Sequence, residues 1–346
     1  MSKSKLLFRA FSCAVALSCG AAAAQAQSVE EFYKGKTITI VVGSDSGGGY
    51  DLNARVLSRH LGRHIPGNPA IVVQNKPGAS SMVAANYVYE VAVQDGTVIA
   101  GVQRPIPFQR LLGEAGARYD VRKIQWLGST MNELGVAIAW HTAPQQTVDD
   151  LFKYEMVVGG TGPATDPELF ARALNNVLGT KFRIVSGYPG QAQVALALER
   201  EEVQGTANWS WSDIVNARAD WLRDKKIRVL LQLGLKKSPD LPDVPLVMDI
   251  LKNDEQRQIF QILMGMKALG RPYFVAPGVP KARSDALRNA FMQTMRDPEY
   301  LAEAKRVLGI VDPTSGPDMQ KIVEDVYALP PSIIEKTREA MKVPGK

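Results

Sequence analysis

Short apolar, β-branched blocks alternate with stretches of helical period along most of this chain. Thr37-Ile38-Thr39-Ile40-Val41-Val42 ends at Gly43, and further blocks follow at 70–73 and 97–100. Such runs predict buried parallel strands, since both faces of a parallel sheet are covered. Between the first two, Tyr50, Ala54, Leu57 and Leu61 recur at helical spacing, with Gly62 as a stop. Between the second and third, Val83, Tyr87 and Val91 mark a helix over 81–91.

The same grammar restarts in the second half. Met156-Val157-Val158 predicts a strand, and a helix is expected to open with Asp166 as N-cap and Pro167 in its first position. Strands are expected at 182–185, 205–208 and 228–233, with a helix over 191–202. A proline-punctuated loop, 238–245, precedes a strand at 272–276 and helices at 284–295 and 298–308. These last helices lack glycine loops and are expected to pack back on the first domain.

Two glycine loops stand where a strand gives way to a helix, over 43–49 and 159–165. That geometry gathers free backbone N–H groups around an anion. Ligands in open α/β sheets sit at the carboxyl ends of the strands. The fold class expected is therefore α/β, with two domains and a hinged interdomain cleft. Residues 27–130 plus 265–346 would form domain 1, and residues 131–264 domain 2.

The first 26 residues change the compartment. Lys3, Lys5 and Arg9 precede an apolar stretch over 10–24 and an Ala24-Gln25-Ala26 cleavage site, the layout of a secretory signal. The stretch is shorter than the roughly 20 residues of a spanning helix, so a periplasmic protein cleaved near Ala26 is expected. Both cysteines, Cys13 and Cys19, lie in the leader, leaving the mature chain without a thiol or disulfide. Taking Lys3, Lys5 and Arg9 from 41 basic residues leaves 38 against 35 acidic, a net of +3. With no clustered basic stripe, nucleic acid is not an expected partner.

Enzyme signatures are missing where they are easiest to see. The first loop lacks Gly-Lys-Ser/Thr, no G-x-S-x-G elbow occurs, and Gly160-Thr161-Gly162 falls a glycine short of a dinucleotide fingerprint. His60 and His64 share a helix face, but no H-E-x-x-H pattern surrounds them. No enzyme activity, cofactor or metal is expected. In the first loop, Ser44 and Ser46 add hydroxyls to the glycines, and Asp51, just inside the helix, suits the N-terminal dipole and pairs with Arg55 at i,i+4. Helix capping and ligand contact both remain open for Asp51.

Several ordered blocks resemble Bug-type receptors, the periplasmic solute-binding components of tripartite tricarboxylate transporters. Gly47-Gly48-x-x-Asp51-x-x-Ala54-Arg55, Asn75-Lys76-Pro77-Gly78-Ala79-Ser80-Ser81 and Asp95-Gly96-Thr97 are similar to that family's P-G-G-x-x-D-x-x-A-R, N-x-P-G-A-G-G and P-D-G-Y-T blocks. Gly160-Thr161-Gly162, Tyr188-Pro189-Gly190 and Leu241-Pro242-Asp243-Val244-Pro245 are similar to its S-x-G-x-G, P-Y-K-G and L-P-D-V-P blocks. The resemblance implies a two-domain periplasmic-binding-protein (type II-like) fold and a monomeric receptor for a small organic acid, working with membrane permease subunits. It implicates Ser44, Ser46, Gly47, Gly48, Ser80 and Ser81 on one jaw, and Thr161, Gly162, Thr165, Tyr188, Gly190 and Asn208 on the other. Departures occur as well: Ser44-Asp45-Ser46 replaces a loop usually proline and aromatic, and Pro189 replaces a common lysine. Asp45 facing a carboxylate would be costly, so either its side chain points to solvent or the ligand carries a neutral or cationic group there. Arg104, past the third strand, is either a partner for a second carboxylate or a surface arginine. The alternatives are an exported hydrolase or isomerase with a two-lobed cleft, and a ligand sensor feeding a kinase.

Overall fold

The computed structural model describes residues 27–162, 165–309 and 311–342, so the expected leader and both cysteines lie outside the described residues. A short helix α1 (Val29–Tyr33) leads into strand β1 (Thr37–Val42), helix α2 (Gly49–Leu61) and β2 (Ala70–Asn75). Next come α3 (Met82–Glu90), β3 (Val98–Gly101), α4 (Ile106–Gln109) and β4 (Gln125–Ser129). The chain then crosses into β5 (Gly135–Trp140), α5 (Asp150–Lys153), β6 (Met156–Gly159), α6 (Asp166–Ala173), β7 (Phe182–Val185) and α7 (Gln191–Glu199). β8 (Gly205–Ser210), α8 (Trp211–Ala217), α9 (Ala219–Arg223) and β9 (Ile227–Leu233) complete this part. The return runs through α10 (Asp254–Ala268) to β10 (Pro272–Val275), α11 (Lys281–Thr294), α12 (Pro298–Val307), β11 (Thr314–Ser315), α13 (Gly316–Tyr327) and α14 (Pro331–Met341).

Among the described residues the strands form two sheets, ordered β11-β4-β10-β3-β1-β2 and β7-β6-β8-β5-β9. Each, with the helices packed on it, is called a lobe below. β1 pairs in parallel with β2 and β3, while β10 and β11 join antiparallel to the strands beside them. In the second sheet β6 pairs in parallel with β7 and β8, and β5 runs antiparallel to β8 and β9. As expected from their lack of glycine loops, α11 and α12 pack on β4 and α2 of the first lobe. β2 differs from the expectation of a strand buried on both faces. It is the edge strand, and its residues alternate between exposed and half-buried, because nothing pairs beyond it.

The larger apolar core fills the first lobe and continues through Phe170 of α6, Leu174 just after it, and Phe260 and Leu263 of α10. A second core lies against β5 and β8, where Trp221 makes edge-on contacts with both Trp140 and Trp209. Trp209 and Trp211 are thus buried packing residues. Two connections join the lobes: residues 130–134, and α10, which packs on both α13 and α14. At the groove between the lobes, Arg104, which follows β3, meets Asp166, which follows β6, and Lys267 of α10 meets Asn208 of β8. No helix among the described residues is long and apolar enough to cross a membrane.

Candidate functional site

The loop after β1 is built around the Asp51 carboxylate. It accepts the Gly47 amide at 2.8 Å, Arg55 Nε at 2.8 Å and Asn75 Nδ2 at 2.8 Å, while Asn75 also donates to the Ser44 carbonyl at 3.0 Å. Burial pushes this carboxyl up, but the Arg55, Gly47 and Asn75 bonds outweigh it and hold it at about 2. Asp51 is therefore turned into the protein and shapes the loop. Gly47 has φ +82°, a conformation that favours glycine. Gly48 has φ −76° and only the Asp45 carbonyl near its missing Cβ, so it leaves the start of α2 open. No side chain caps α2, and the amides of Gly49 and Tyr50 have no intrahelical acceptor. Ser46, Gly47, Gly48 and Asp45 are exposed, and Ser44 is half-buried.

A second loop buttresses the first. The buried Ser81 hydroxyl donates to the Gly43 carbonyl at 2.8 Å and accepts the Gln103 amide at 3.0 Å, tying together the segments after β1, β2 and β3. A Cβ on Gly43 would lie 2.3 Å from Ser81 Oγ, so glycine is required by close approach there. Ala79, Ser80 and Ser81 all have left-handed φ, at 44°, 51° and 75°, a strained run for residues with a Cβ. It leaves Ser80 exposed at the groove.

The loop after β6 is closed on itself. The Gly160 amide donates to Val185 O at 2.9 Å, and the Gly162 amide to Glu168 Oε1 at 2.7 Å. Thr165 donates its amide and its hydroxyl to Gly162 O at 3.0 and 2.7 Å, and Thr161 Oγ1 donates to Thr165 Oγ1 at 3.1 Å. Pro163 and Ala164 lie outside the described residues. The N-cap is Thr165, not Asp166 as expected: Asp166 is the first helical residue and turns its carboxylate to the other lobe. Tyr188 packs against the second core, and Gly190 caps α7. Asn208 is buried, and its Oδ1 accepts from Lys267 Nζ at 3.1 Å.

Between the lobes lies a charged cluster. Arg104 follows β3, and its guanidinium pairs with Glu133 in the crossing segment and with Asp166 Oδ2 across the groove at 2.6 Å. Lys267, near the end of α10 and 2% exposed, lies 3.7 Å from Asp166. Burial pulls the Lys267 ammonium down despite Asp166 and Glu133. Burial acts to raise the Glu133 carboxyl, yet the Arg104, Lys267 and Arg271 charges outweigh it and hold it at about 2. The same balance leaves Arg104 above its usual value: burial lowers it and the Glu133 and Asp166 charges more than compensate. Arg104 is thus an interlobe pairing residue and not a solvated surface arginine. Beside α2, the Arg271 guanidinium stacks 4.0 Å from the Tyr50 ring centroid and lies close to Gly49. Loss of hydration and the nearby Glu133 push the Asp213 carboxyl up, against Arg271 and Arg104.

His60 of α2 pairs with Glu303 of α12, and His64, in the turn after α2, with Asp297, the N-cap of α12, each at 2.7 Å. Those partners bind α2 to α12 within the first lobe. Sequence reasoning missed Glu133, Lys267 and Arg271, which belong to no glycine motif and come from distant parts of the chain.

The family model described as "Tripartite tricarboxylate transporter family receptor" matches residues 54–338. The chain belongs to this receptor family. A curated relative from Cupriavidus necator, described as a UPF0065 protein in the gbd 5′ region, is 25% identical over 308 residues, covering 87% of each chain. Among solved structures, a TctC solute-binding protein from Polaromonas, determined with no ligand, aligns with a TM-score of 0.71 at 19% identity, covering 88% of this chain and 99% of its own. MatC from Rhodopseudomonas palustris with bound malate aligns at 0.55 and 17% identity, covering 89% and 99%. A second R. palustris protein, determined with adipate, aligns at 0.57 and 21%, covering 88% and 97%. These likenesses confirm the two-lobed α/β binding-protein fold of this receptor family.

Proposed function

We propose that this receptor-family protein is exported to the periplasm, takes a small organic acid between its lobes, and hands it to membrane permease subunits, making and breaking no bond. In this reading residues 27–130 with 265–346 move against residues 131–264 about the two connections between the lobes. The observation that carries the reading is Arg104, which holds the carboxylate of Asp166 from the opposite lobe at 2.6 Å. A groove that brings a carboxylate onto a guanidinium across the lobes has the chemistry to take another from solution. The start of α2 adjoins Arg104, whose amide donates to the Tyr50 hydroxyl at 3.3 Å, and with Arg271 beside it adds positive potential to the same place. The malate and adipate held by the two R. palustris proteins are acids of this kind. Micromolar affinity corresponds to about 8 kcal/mol, within reach of a few charge-assisted hydrogen bonds in a desolvated cleft.

A thermal-shift screen of residues 27–346, unfolded and refolded to strip bound ligand, tests this. An acid at roughly 100 times its Kd adds about 2.7 kcal/mol and raises the midpoint by several degrees. A refolded protein that answers only to amines or neutral solutes contradicts the reading.

A further inference from the structure

Between the lobes lies a cavity of about 260 Å³, smaller than most sites for drug-sized ligands. Its lining falls into two parts. Arg104, Asp166 and Lys267 form one, bound to one another by the ion pairs above. The other is apolar and includes Leu112, Leu169, Phe170, Met266 and Met341. The two parts meet at Phe170, whose ring centroid lies 5.0 Å from Lys267 Nζ. Helix α14 holds the apolar part in place: Arg172 Nε of α6 donates to the Met341 carbonyl at 2.9 Å, and Arg338 Nη2 donates to the Leu111 carbonyl at 2.7 Å.

Resting on the receptor reading above, we infer that the acid is a monocarboxylate with an apolar body, its carboxylate taking the place of Asp166 on Arg104 and its body lying against Leu169, Phe170 and Met266. Charge and burial both argue for a single carboxylate. The cluster's four ion-paired members, Arg104 and Lys267 against Glu133 and Asp166, balance in charge before ligand enters, with Arg271 as a neighbouring cation acting on Glu133. The cluster therefore has one exchangeable anion place. Asp166 is the more exposed of its two carboxylates, at 29% against 14% for Glu133. A second ligand carboxylate would have to enter the apolar part, where the charged residue among the described lining is Glu114, an anion. An unpaired charge moved out of water against apolar walls and a like charge is strongly disfavoured. An aliphatic or aryl body instead gains from leaving water.

Calorimetric titration of the stripped protein with hexanoate, benzoate, succinate and citrate tests the inference. One of the two monocarboxylates is expected to bind at least about tenfold tighter than succinate or citrate. Leu169 is half-buried, so Leu169→Asp is expected to keep the native far-UV circular dichroism while weakening that monocarboxylate by about tenfold or more; Leu169→Met should leave it nearly unchanged. Should Leu169→Asp fail to fold, Met266→Ser, at the other apolar wall, is measured in its place with the same expectation. Tighter binding of succinate or citrate, or wild-type affinity in the folded wall variant, overturns the inference while leaving the receptor for acids standing. A natively folded wild type that binds none of the four acids overturns both.

Discussion

At the scale of single residues, Asp51 and the two glycines before it divide the work of the first loop. Asp51 gathers three donors and is held at about 2 against an unfolded value near 4. Its contribution is therefore present above about pH 4 and lost as pH falls through about 2. Asp51→Asn is expected to cost about 2 kcal/mol near neutrality, read from urea unfolding. The gap between variant and wild type should close on acidification; a constant gap would contradict the assignment. Gly48 is not required by backbone conformation or by internal space. Gly48→Val is thus expected to fold with unchanged far-UV circular dichroism and to lose acid binding, because its side chain covers the start of α2. Wild-type affinity in that variant would remove the first loop from the site. The importance of Asp51 was legible in the sequence from its place in the first helical turn and its i,i+4 relation to Arg55. Its choice between shaping the loop and touching ligand was not, because that depends on Asn75, 24 residues away.

At the scale of elements, strands covered by helices were legible, since continuous apolar blocks report burial on two faces. β4, β5, α10, α13 and α14 were missed, although β5 is buried throughout. Its sequence, Gly135-Val136-Ala137-Ile138-Ala139-Trp140, mixes small residues with β-branched ones and gives a weak local signal. The two glycine loops look alike in sequence yet differ in what they offer. Both lead into a helix with no side-chain cap, but Gly47, Gly48 and Gly49 of the first are exposed, whereas in the second the Gly160 and Gly162 amides are bonded within the protein. A glycine loop thus announces a close approach of backbone without saying what approaches. The left-handed run at Ala79, Ser80 and Ser81 stores strain beside the groove. Ala79→Gly should relieve part of it and stabilise the protein by about 0.5–1 kcal/mol, read from denaturant midpoints. Destabilisation would show that the Ala79 methyl makes a contact that outweighs the strain.

At the scale of the whole molecule, the charged cluster joins four widely separated parts of the chain. Arg104 follows β3, Glu133 lies in a crossing segment, Asp166 opens α6 and Lys267 ends α10. No spacing rule connects such positions, which is why Arg104 alone among these cluster residues was singled out as a ligand candidate, and then with two roles open. Because Asp166 occupies a place that a ligand carboxylate would take, Asp166→Asn leaves Arg104 and Lys267 facing Glu133 alone. Acid affinity is then expected to rise by about tenfold, or about 1.4 kcal/mol, with a steeper loss in added salt. Weaker binding by a folded Asp166→Asn protein would make Asp166 part of the closed state instead of a competitor. The central claim, a cleft that binds an acid without transforming it, is tested most directly by titrating the stripped protein with its best acid in a calorimeter and analysing the cell contents afterwards. The account predicts saturable one-to-one binding with the acid recovered intact. An acid consumed in the cell, or a natively folded protein that gives no binding heat with any acid across a range of temperatures, would contradict it.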